Sequence, residues 1–407
     1  MTTDYEIRLA VDEDWPAIAA MTFEAFLDDL DPDFSELEHS VFEPNRSVLA
    51  TQGDTIAGMV SAFTRDLTVP GGVVPGAHVT MVSVGATHRR QGLLRRMIDK
   101  LHEDSVALGE PVALLYASEG RIYQRFGYGL ATRRAAIEAN DREVAIRRPA
   151  DGEGRLRDVA PDSFDVFQKV FEEARVDRPG WSSRDERWWN YQMADLKPSR
   201  GGATALRAVV HDGPDGVDGY LLWRVKGDWS PAGPKGNAIM KEMIATTPEA
   251  YRALWRFAMS IDLTRSTKYG WGSVDEPIQF MVDEPRALEI RISDGLWVRL
   301  LDVPAALAAR RYATPIDVVI EVSDSTMPPN AGRFRLVGDG QRATCTRTDA
   351  PADIAATVQA LGAAYLGGSP LTAFVAGGDV RELRAGTLGP ASVAFGWHRA
   401  PSSIEMF

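Results

Sequence analysis

Arg89, Arg90 and Gly92 sit between an apolar run and an amphipathic run, and together they can hold an anion. The run before them, Val79 to Val84, carries β-branched Val79, Val82 and Val84 and predicts a buried strand. The run after them sets Leu93, Leu94, Met97, Ile98 and Leu101 on one helical face. The N–H groups of a first helical turn point outward without partners, and the helix dipole favours negative charge there. Residues Gln91 to Leu94 supply those N–H groups, and the two guanidinium groups add charge-assisted hydrogen bonds. Gly92 lets the backbone come close to a ligand where a side chain would block it. Many nucleotide-binding proteins carry such a turn, so the turn by itself does not choose among phosphate-bearing ligands.

The flanking elements must position this turn. A short strand at Glu6 to Leu9 precedes a helix from Ala17 to about Phe26, with Pro16 suited to its first turn. Asp28, Asp29, Asp31 and Asp33 follow, interleaved with Phe26, Leu30 and Phe34. That segment fits the wall of a cationic pocket and fits a solvated loop equally. Residues 48–50 and 56–64 read as a hairpin around Gly53-Asp54. After the central helix comes a strand at Val112 to Tyr116. The segment A-S-E-G-R-I-Y-Q-R-F-G-Y-G-L at 117–130 then holds a short helix capped by Ser118 or Glu119.

Length and composition bound the rest. A chain of 407 residues needs two or three cores. Its 44% apolar and 25% charged residues are ordinary for a globular protein. The net charge of −12 disfavours nucleic acid and is compatible with cationic small molecules. One cysteine, Cys345, rules out an internal disulfide, and six scattered histidines give a metal site no support. No stretch reaches the length of a membrane span and the start lacks a signal-peptide pattern, so a cytoplasmic protein with no membrane partner is expected.

Two further units follow. Residues 148–154 are a polar Gly/Pro linker, and W-S-S-R-D-E-R-W-W reads as a helix started by a Ser cap. Residues 242–257 align without a gap on 82–97, with Glu249, Ala250 and Arg252 where the first copy has Arg89, Arg90 and Gly92. A second copy without the glycine should not bind a pyrophosphate. In the last unit, Ser293-Asp294-Gly295 reads as a turn between strands. Strands are expected at 316–322, 333–337 and 342–347, and a helix at Asp353 to Tyr365.

The element order and the turn Arg89-x-x-Gly92 resemble the GNAT family of acyl-CoA N-acyltransferases, with Leu94 replacing the final small residue of the family motif. T-H-R-R-x-G-L-L-R, followed by A-S-E-G-x-I-Y-x-R-F-G-Y-G, closely resembles the Eis (enhanced intracellular survival) acetyltransferases, as does the terminal Phe407. The resemblance implies an α+β and α/β architecture in three parts. These are a GNAT domain at 1–148, a degenerate GNAT-like domain at 149–289 and a sterol-carrier-protein-like domain at 290–407 whose end returns to the active site. It also implies a homohexamer.

What the resemblance implies for chemistry is acetyl-CoA as the acyl donor, no metal, and cationic amines as acceptors. Arg89, Arg90, Gln91, Gly92, Leu93 and Leu94 would hold the pyrophosphate. The backbone of Val82, Ser83 and Val84 would pair with the pantetheine amides, and Ser118 would touch the cofactor. Tyr123 matches the family's catalytic tyrosine; a phenol is protonated at neutral pH and can serve as general acid to a departing thiolate. Tyr116 and Tyr128 are its rivals. The Phe407 carboxylate would orient or deprotonate the amine, although an ordinary carboxylate is a weak base for an ammonium group. Phe23, Glu24, Asp28 and Glu405 are the substrate-binding candidates. Aminoglycosides or similar polyamines are the expected acceptors. A lysine-peptide acetyltransferase is the first alternative, and a non-catalytic acyl-CoA or lipid-binding module the second.

Overall fold

The computed structural model describes residues 5–147 and 154–407. The 148/149 boundary and most of the expected linker lie outside them. The first half contains β1 (Glu6–Leu9), α1 (Trp15–Ala25), α2 (Pro32–His39), β2 (Ser47–Gln52), β3 (Thr55–Val69), β4 (Gly72–Val84), α3 (Leu93–Ala107), β5 (Val112–Tyr116), α4 (Gly120–Tyr123), β6 (Gly129–Leu130) and β7 (Arg133–Asn140). Local chemistry explains the element ends. Pro16 sits in the first turn of α1, and the Asp31 carboxylate caps α2 by accepting from Phe34 N at 2.9 Å. Gly53, at φ +59°, turns β2 into β3 as expected.

The second half contains β8 (Arg155–Val159), α5 (Phe164–Arg175), α6 (Glu186–Met193), β9 (Arg207–Gly213), β10 (Gly216–Lys226), a small ribbon of β11 (Trp229–Ser230) and β12 (Gly233–Pro234), β13 (Gly236–Ala245), α7 (Pro248–Met259), β14 (Thr264–Gly272), β15 (Arg291–Asp294) and β16 (Leu296–Leu300). Helix α6 is capped by Asp185, which accepts from Trp188 N at 2.9 Å, so the Ser-cap reading is corrected. Of the serines before it, Ser182 meets His78 Nε2 at 2.7 Å and Ser183 Oγ accepts from Asp66 N at 2.9 Å.

Two seven-stranded sheets exchange their last strands. One has the order β1-β2-β3-β4-β5-β16-β6 and the other β15-β7-β14-β13-β10-β9-β8. Strand β7 leaves the first copy to pair with β14, while β16 leaves the second to pair with β5. The crossing occurs where Gly295 meets Thr132. Gly295 N donates to Thr132 O at 3.0 Å, and a Cβ on Gly295 would lie 2.4 Å from Thr132 Oγ1. Residues 293–295 are therefore a switch between sheets rather than a hairpin turn. The domain lines expected at 148 and 290 do not follow the sheets, because each sheet takes a strand from the other side of its line.

The last unit packs α8 (Val303–Ala309), α9 (Val358–Ala364) and α10 (Leu388–Phe395) against a sheet of order β19-β18-β17-β20-β21. Those strands are β17 (Ile316–Ser323), β18 (Gly332–Gly338), β19 (Ala343–Arg347), β20 (Ile354–Thr357) and β21 (Val380–Glu382). The helix expected from Asp353 begins only at Val358. Residues 354–357 instead form β20, because Ile354 and Ala356 alternate inward and Ile354 pairs with Ile320 in β17. The core of this unit is continuous with the first sheet. Leu67, Leu114 and Val298 pack in one cluster with Ile320, Phe334 and Phe395. Burial of such side chains contributes roughly 1.5–3 kcal/mol each, which fixes the third unit to the first. Among the described residues, no helix is long and apolar enough to cross a membrane.

Candidate active site

The cleft begins where two parallel strands part. Strand β4 pairs with β5 only from Gly76–Val112 to His78–Leu114. Beyond His78 that edge of β4, Val79 to Val84, pairs with no strand among the described residues, while β5 keeps its other edge against β16. A bulge between Thr80 and Ser83 adds one residue to β4, and Met81 takes φ +49°. Val82 and Val84 are half-buried. The Ser83 hydroxyl is buried without a hydrogen-bond partner. An exposed strand edge with an orphaned hydroxyl is the arrangement an extended amide-bearing ligand can complete by strand addition.

The anion turn lies at the end of that edge. Arg89, Arg90, Gln91 and Gly92 are exposed, and Arg89 Nε reaches back to Val84 O at 3.3 Å. Gly92 is the N-cap of α3, at φ +77°, and no side chain caps the helix. The first-turn N–H groups are therefore open to an anion. Leu93 is buried against Val60, Val79 and Met97, so it contributes through its backbone. Leu94 is half-buried. A Cβ on Gly92 would meet no protein atom within 4 Å, so the glycine is required by its left-handed φ and not by crowding within the protein.

The second copy lacks this device. Residues 85–92 separate β4 from α3, whereas only Thr246 and Thr247 separate β13 from α7. Thr247 caps α7 itself, Glu249 sits in its first turn, and Arg252 lies inside the helix. The degenerate copy thus fills its own helix terminus.

Beyond β5, Tyr123 on α4 is buried and edge-on to Tyr128, ring centres 6.1 Å apart. Burial pushes its phenol pKa up, and a hydrogen bond with Ser118 offsets part of that rise. Tyr123 is therefore a protonated donor at neutral pH. Its rivals are occupied. The Tyr128 hydroxyl sits 2.9 Å from His102 Nε2, and Tyr116 donates to Glu405 O at 2.7 Å.

The last residues run between the two exchanged sheets. Arg178 Nη1 donates to Ala400 O at 2.9 Å, Ser402 N donates to Pro179 O at 3.0 Å, and Gln192 Nε2 donates to Met406 O at 3.0 Å. A Cβ on Gly180 would lie 2.3 Å from Ser402 O, so glycine is needed where the tail passes. The Phe407 ring packs edge-on to His78 at 4.7 Å and to Tyr116 at 5.5 Å, centre to centre. His78 is buried, with Nε2 2.7 Å from Ser182 Oγ. Burial, helped by Arg65, drives its pKa well below the usual value, so the ring beside the terminus is neutral. Phe407 is thus set at the point where β4 and β5 part.

The Glu405 carboxylate is already engaged within the protein. The residue is 4% exposed, and its carboxylate is held by Arg65 and by Arg184 Nε, the latter at 2.6 Å. Burial alone would push Glu405 up, but Arg184 and Arg65 outweigh it and hold its pKa below the usual range. Arg184 also bridges to Glu242 at 2.6 Å, whose other oxygen accepts from Tyr220 at 2.6 Å. Arg65 stacks 4.0 Å from the Trp188 ring centre.

Of the remaining candidates, Phe23 is buried and edge-on to Phe34 at 5.9 Å. Phe34 in turn lines a cavity of about 290 Å3 with Tyr191, Lys241, Trp271, Ile404 and Met406. Glu24 and Asp28 stay exposed and do not line it. Tyr191, Lys241, Arg65 and Arg184 had no signal in the sequence, because each becomes informative only through contacts across domains. Among the described residues, no group of three His, Cys, Asp or Glu side chains could hold a metal ion.

The splayed strands, bulge and uncapped helix behind a basic glycine turn define an acetyltransferase of the GNAT type. Residues 6–131 and 180–300 each match an acetyltransferase (GNAT) domain, and residues 303–403 match a sterol carrier protein domain. The chain is 42% identical to an uncharacterized N-acetyltransferase of Streptomyces avermitilis, over 98% of both chains. It is 34% identical to N-acetyltransferase Eis of Mycobacterium tuberculosis, over 94% of this chain and 95% of that one. The crystal structure of Eis1 from Mycobacterium abscessus superposes with a TM-score of 0.85 at 30% identity, covering 99% of this chain and all (100%) of the other. A GCN5-related N-acetyltransferase from Anabaena variabilis, 17% identical, shares the fold with a TM-score of 0.87 over 99% of this chain and 100% of its own. The chain belongs to the Eis family of N-acetyltransferases.

Proposed function

We propose that the chain transfers the acetyl group of acetyl-CoA directly to primary amines, aminoglycosides and polyamines among them. The observation that carries this reading is the tail. Phe407 is seated against His78 and Tyr116, at the mouth of the open edge of β4. The fit to the cofactor rests on the orphaned Ser83 hydroxyl, the unpaired edge Val82 to Val84 and the uncapped start of α3. Arg89, Arg90 and the N–H groups from Gln91 to Leu94 are suited to the pyrophosphate, and Ser118 to the region near the thioester. The cofactor supplies an acyl group whose carbon–sulfur bond breaks as the new carbon–nitrogen bond forms.

The side chains then have three tasks. The terminal carboxylate accepts a hydrogen bond from the acceptor's ammonium group, orients it and passes its proton to water. The freed nitrogen lone pair forms the amide bond. Tyr123 gives its phenolic proton to the sulfur that leaves with the bonding electrons and is reprotonated from solvent. Cys345 takes no part, since burial pushes its thiol up to about 12 and leaves it un-ionised at neutral pH.

Thiol release from acetyl-CoA across a panel of aminoglycosides, polyamines and lysine peptides tests the reading. Turnover with amines that is lost in Tyr123→Phe, with cofactor binding kept, supports it. No thiol release with any amine overturns it.

A further inference from the structure

The cavity beside the tail is lined by charges of both signs. Among its lining residues the charged ones are Lys241, Glu242 and Glu405. Both acids are already neutralised, Glu405 by Arg65 and Arg184, and Glu242 by Arg184. Lys241, on β13, is half-buried and forms no hydrogen bond or ion pair with any described residue. The nearby Asp195 is taken by Arg200 at 3.0 Å, Arg224 at 3.2 Å and Leu206 N at 2.8 Å. The carboxylates of Glu242 and Asp195 favour the Lys241 charge from a distance, but neither pairs with it directly. A half-buried ammonium group with no direct partner is unfavourable, and a ligand that supplies one gains from pairing it.

Two residues with neutral donors also line the cavity, Tyr191 and Trp271, and neither the Tyr191 hydroxyl nor the Trp271 indole N–H donates to a described residue. Trp271 is edge-on to Tyr116, ring centres 6.2 Å apart, and Tyr116 touches the Phe407 ring. The cavity therefore runs from Lys241 to the residue next to the chain terminus, with Met406 in its wall. Burial draws the Lys241 pKa down to about 8, so the group still carries its charge at neutral pH but holds it in a poorly hydrated place.

We propose that Lys241 is the counter-ion for a carboxylate on the acyl acceptor, so that an amine bearing one carboxylate is accepted better than the same amine without it. This rests on the acetyltransferase reading and specifies the acceptor within it. One ammonium with two neutral donors matches a monoanion. The terminal carboxylate of Phe407 takes the amine end, and Lys241 takes the acid end.

L-lysine and cadaverine differ only by that carboxylate and are the probes. With wild-type enzyme and acetyl-CoA, kcat/KM for L-lysine should exceed that for cadaverine at least tenfold. In Lys241→Met the advantage should vanish through a rise in KM for L-lysine, with kcat within about twofold and cadaverine unaffected. Lys241→Arg should keep the preference, which separates a charge effect from a damaged fold. Lys241→Glu should turn the preference toward cadaverine. Equal or better use of cadaverine by the wild type, or a Lys241→Met effect that is the same on both amines, overturns the inference while leaving the acetyltransferase reading intact. Absence of thiol release with every amine overturns both.

Discussion

Arg184 Nε and Glu405 Oε2 lie 2.6 Å apart in the interior, 221 positions apart in sequence. This pair ties the second GNAT-like domain to the tail that ends at Phe407, and Arg65 ties the same carboxylate to the first domain. Both guanidinium groups also lie over aromatic rings, Arg65 over Trp188 and Arg184 over Phe171 at 4.3 Å. The degenerate domain therefore does more than pack. It supplies half of the clamp that sets the terminal residue.

Removing the charge of Glu405 leaves Arg65 buried without its carboxylate. Glu405→Gln should lose about 3–5 kcal/mol of stability. Urea unfolding followed by fluorescence measures this directly. A loss below about 1 kcal/mol would mean that the clamp is not needed to hold the tail.

Tyr123 is buried and protonated, so its replacement tests proton donation without adding bulk. Tyr123→Phe should lower kcat about 10²–10⁴-fold. Calorimetric binding of acetyl-CoA should remain within a few-fold of wild type. An unchanged kcat would move the acid role away from this phenol, and Tyr116 and Tyr128 are poor heirs because each hydroxyl is already engaged.

Gly92 and Gly53 make a matched pair. Both have positive φ, and at neither would a Cβ meet an atom within 4 Å. An alanine at either site should cost about 1–2 kcal/mol of stability through its backbone alone. Gly92→Ala should in addition weaken acetyl-CoA binding at least tenfold, whereas Gly53→Ala should not. Equal cofactor affinity in the two variants would remove Gly92 from the anion site.

Glu38 on α2 has no ion-pair or hydrogen-bond partner for its carboxylate among the described residues, and burial raises its pKa from 4.5 to about 7. A carboxyl raised in the folded state binds its proton more tightly there than in the unfolded chain. Its stabilising contribution is complete below pH 4.5 and is lost as the pH rises through about 7. The loss amounts to at most roughly 3 kcal/mol. Glu38→Gln should therefore resemble wild type at pH 5 and be more stable at pH 8, as read from urea midpoints. Parallel midpoints at both pH values would show that the carboxyl is hydrated in the folded state.

Much of the cofactor cleft was legible in the sequence because its parts are local. Val79 to Val84, Arg89 to Gly92 and the apolar face of α3 are contiguous, and each obeys its own short-range rule. Tyr123 and Phe407 were legible only through a motif and a chain end. The clamp was not legible, since Arg65 and Glu405 lie 340 positions apart and neither has a local reason to be buried. The strand exchange was also hidden. Ser293-Asp294-Gly295 has good turn chemistry, but its glycine is spent on a crossing with Thr132. Asp353 to Tyr365 misled because Ile354 and Ala356 suit a helix face and a buried strand alike, and pairing with β17 decides for the strand. Glu24 and Asp28 are amine-ligand candidates by type, and the fold leaves both exposed and outside the cavity that Lys241 lines.

The central claim is that the Phe407 carboxylate acts on the acceptor amine at the cleft defined by β4 and β5. Its most direct test is single-turnover acetyl transfer by enzyme whose C-terminal carboxylate has been converted to an amide by semisynthesis. The ring of Phe407 and its contacts with His78 and Tyr116 are kept in that protein, and only the charge is lost. The account predicts unchanged acetyl-CoA affinity and a transfer rate at least 100-fold lower, in line with the loss of a positioned acid–base group. An amidated enzyme that transfers acetyl groups at the wild-type rate would contradict it.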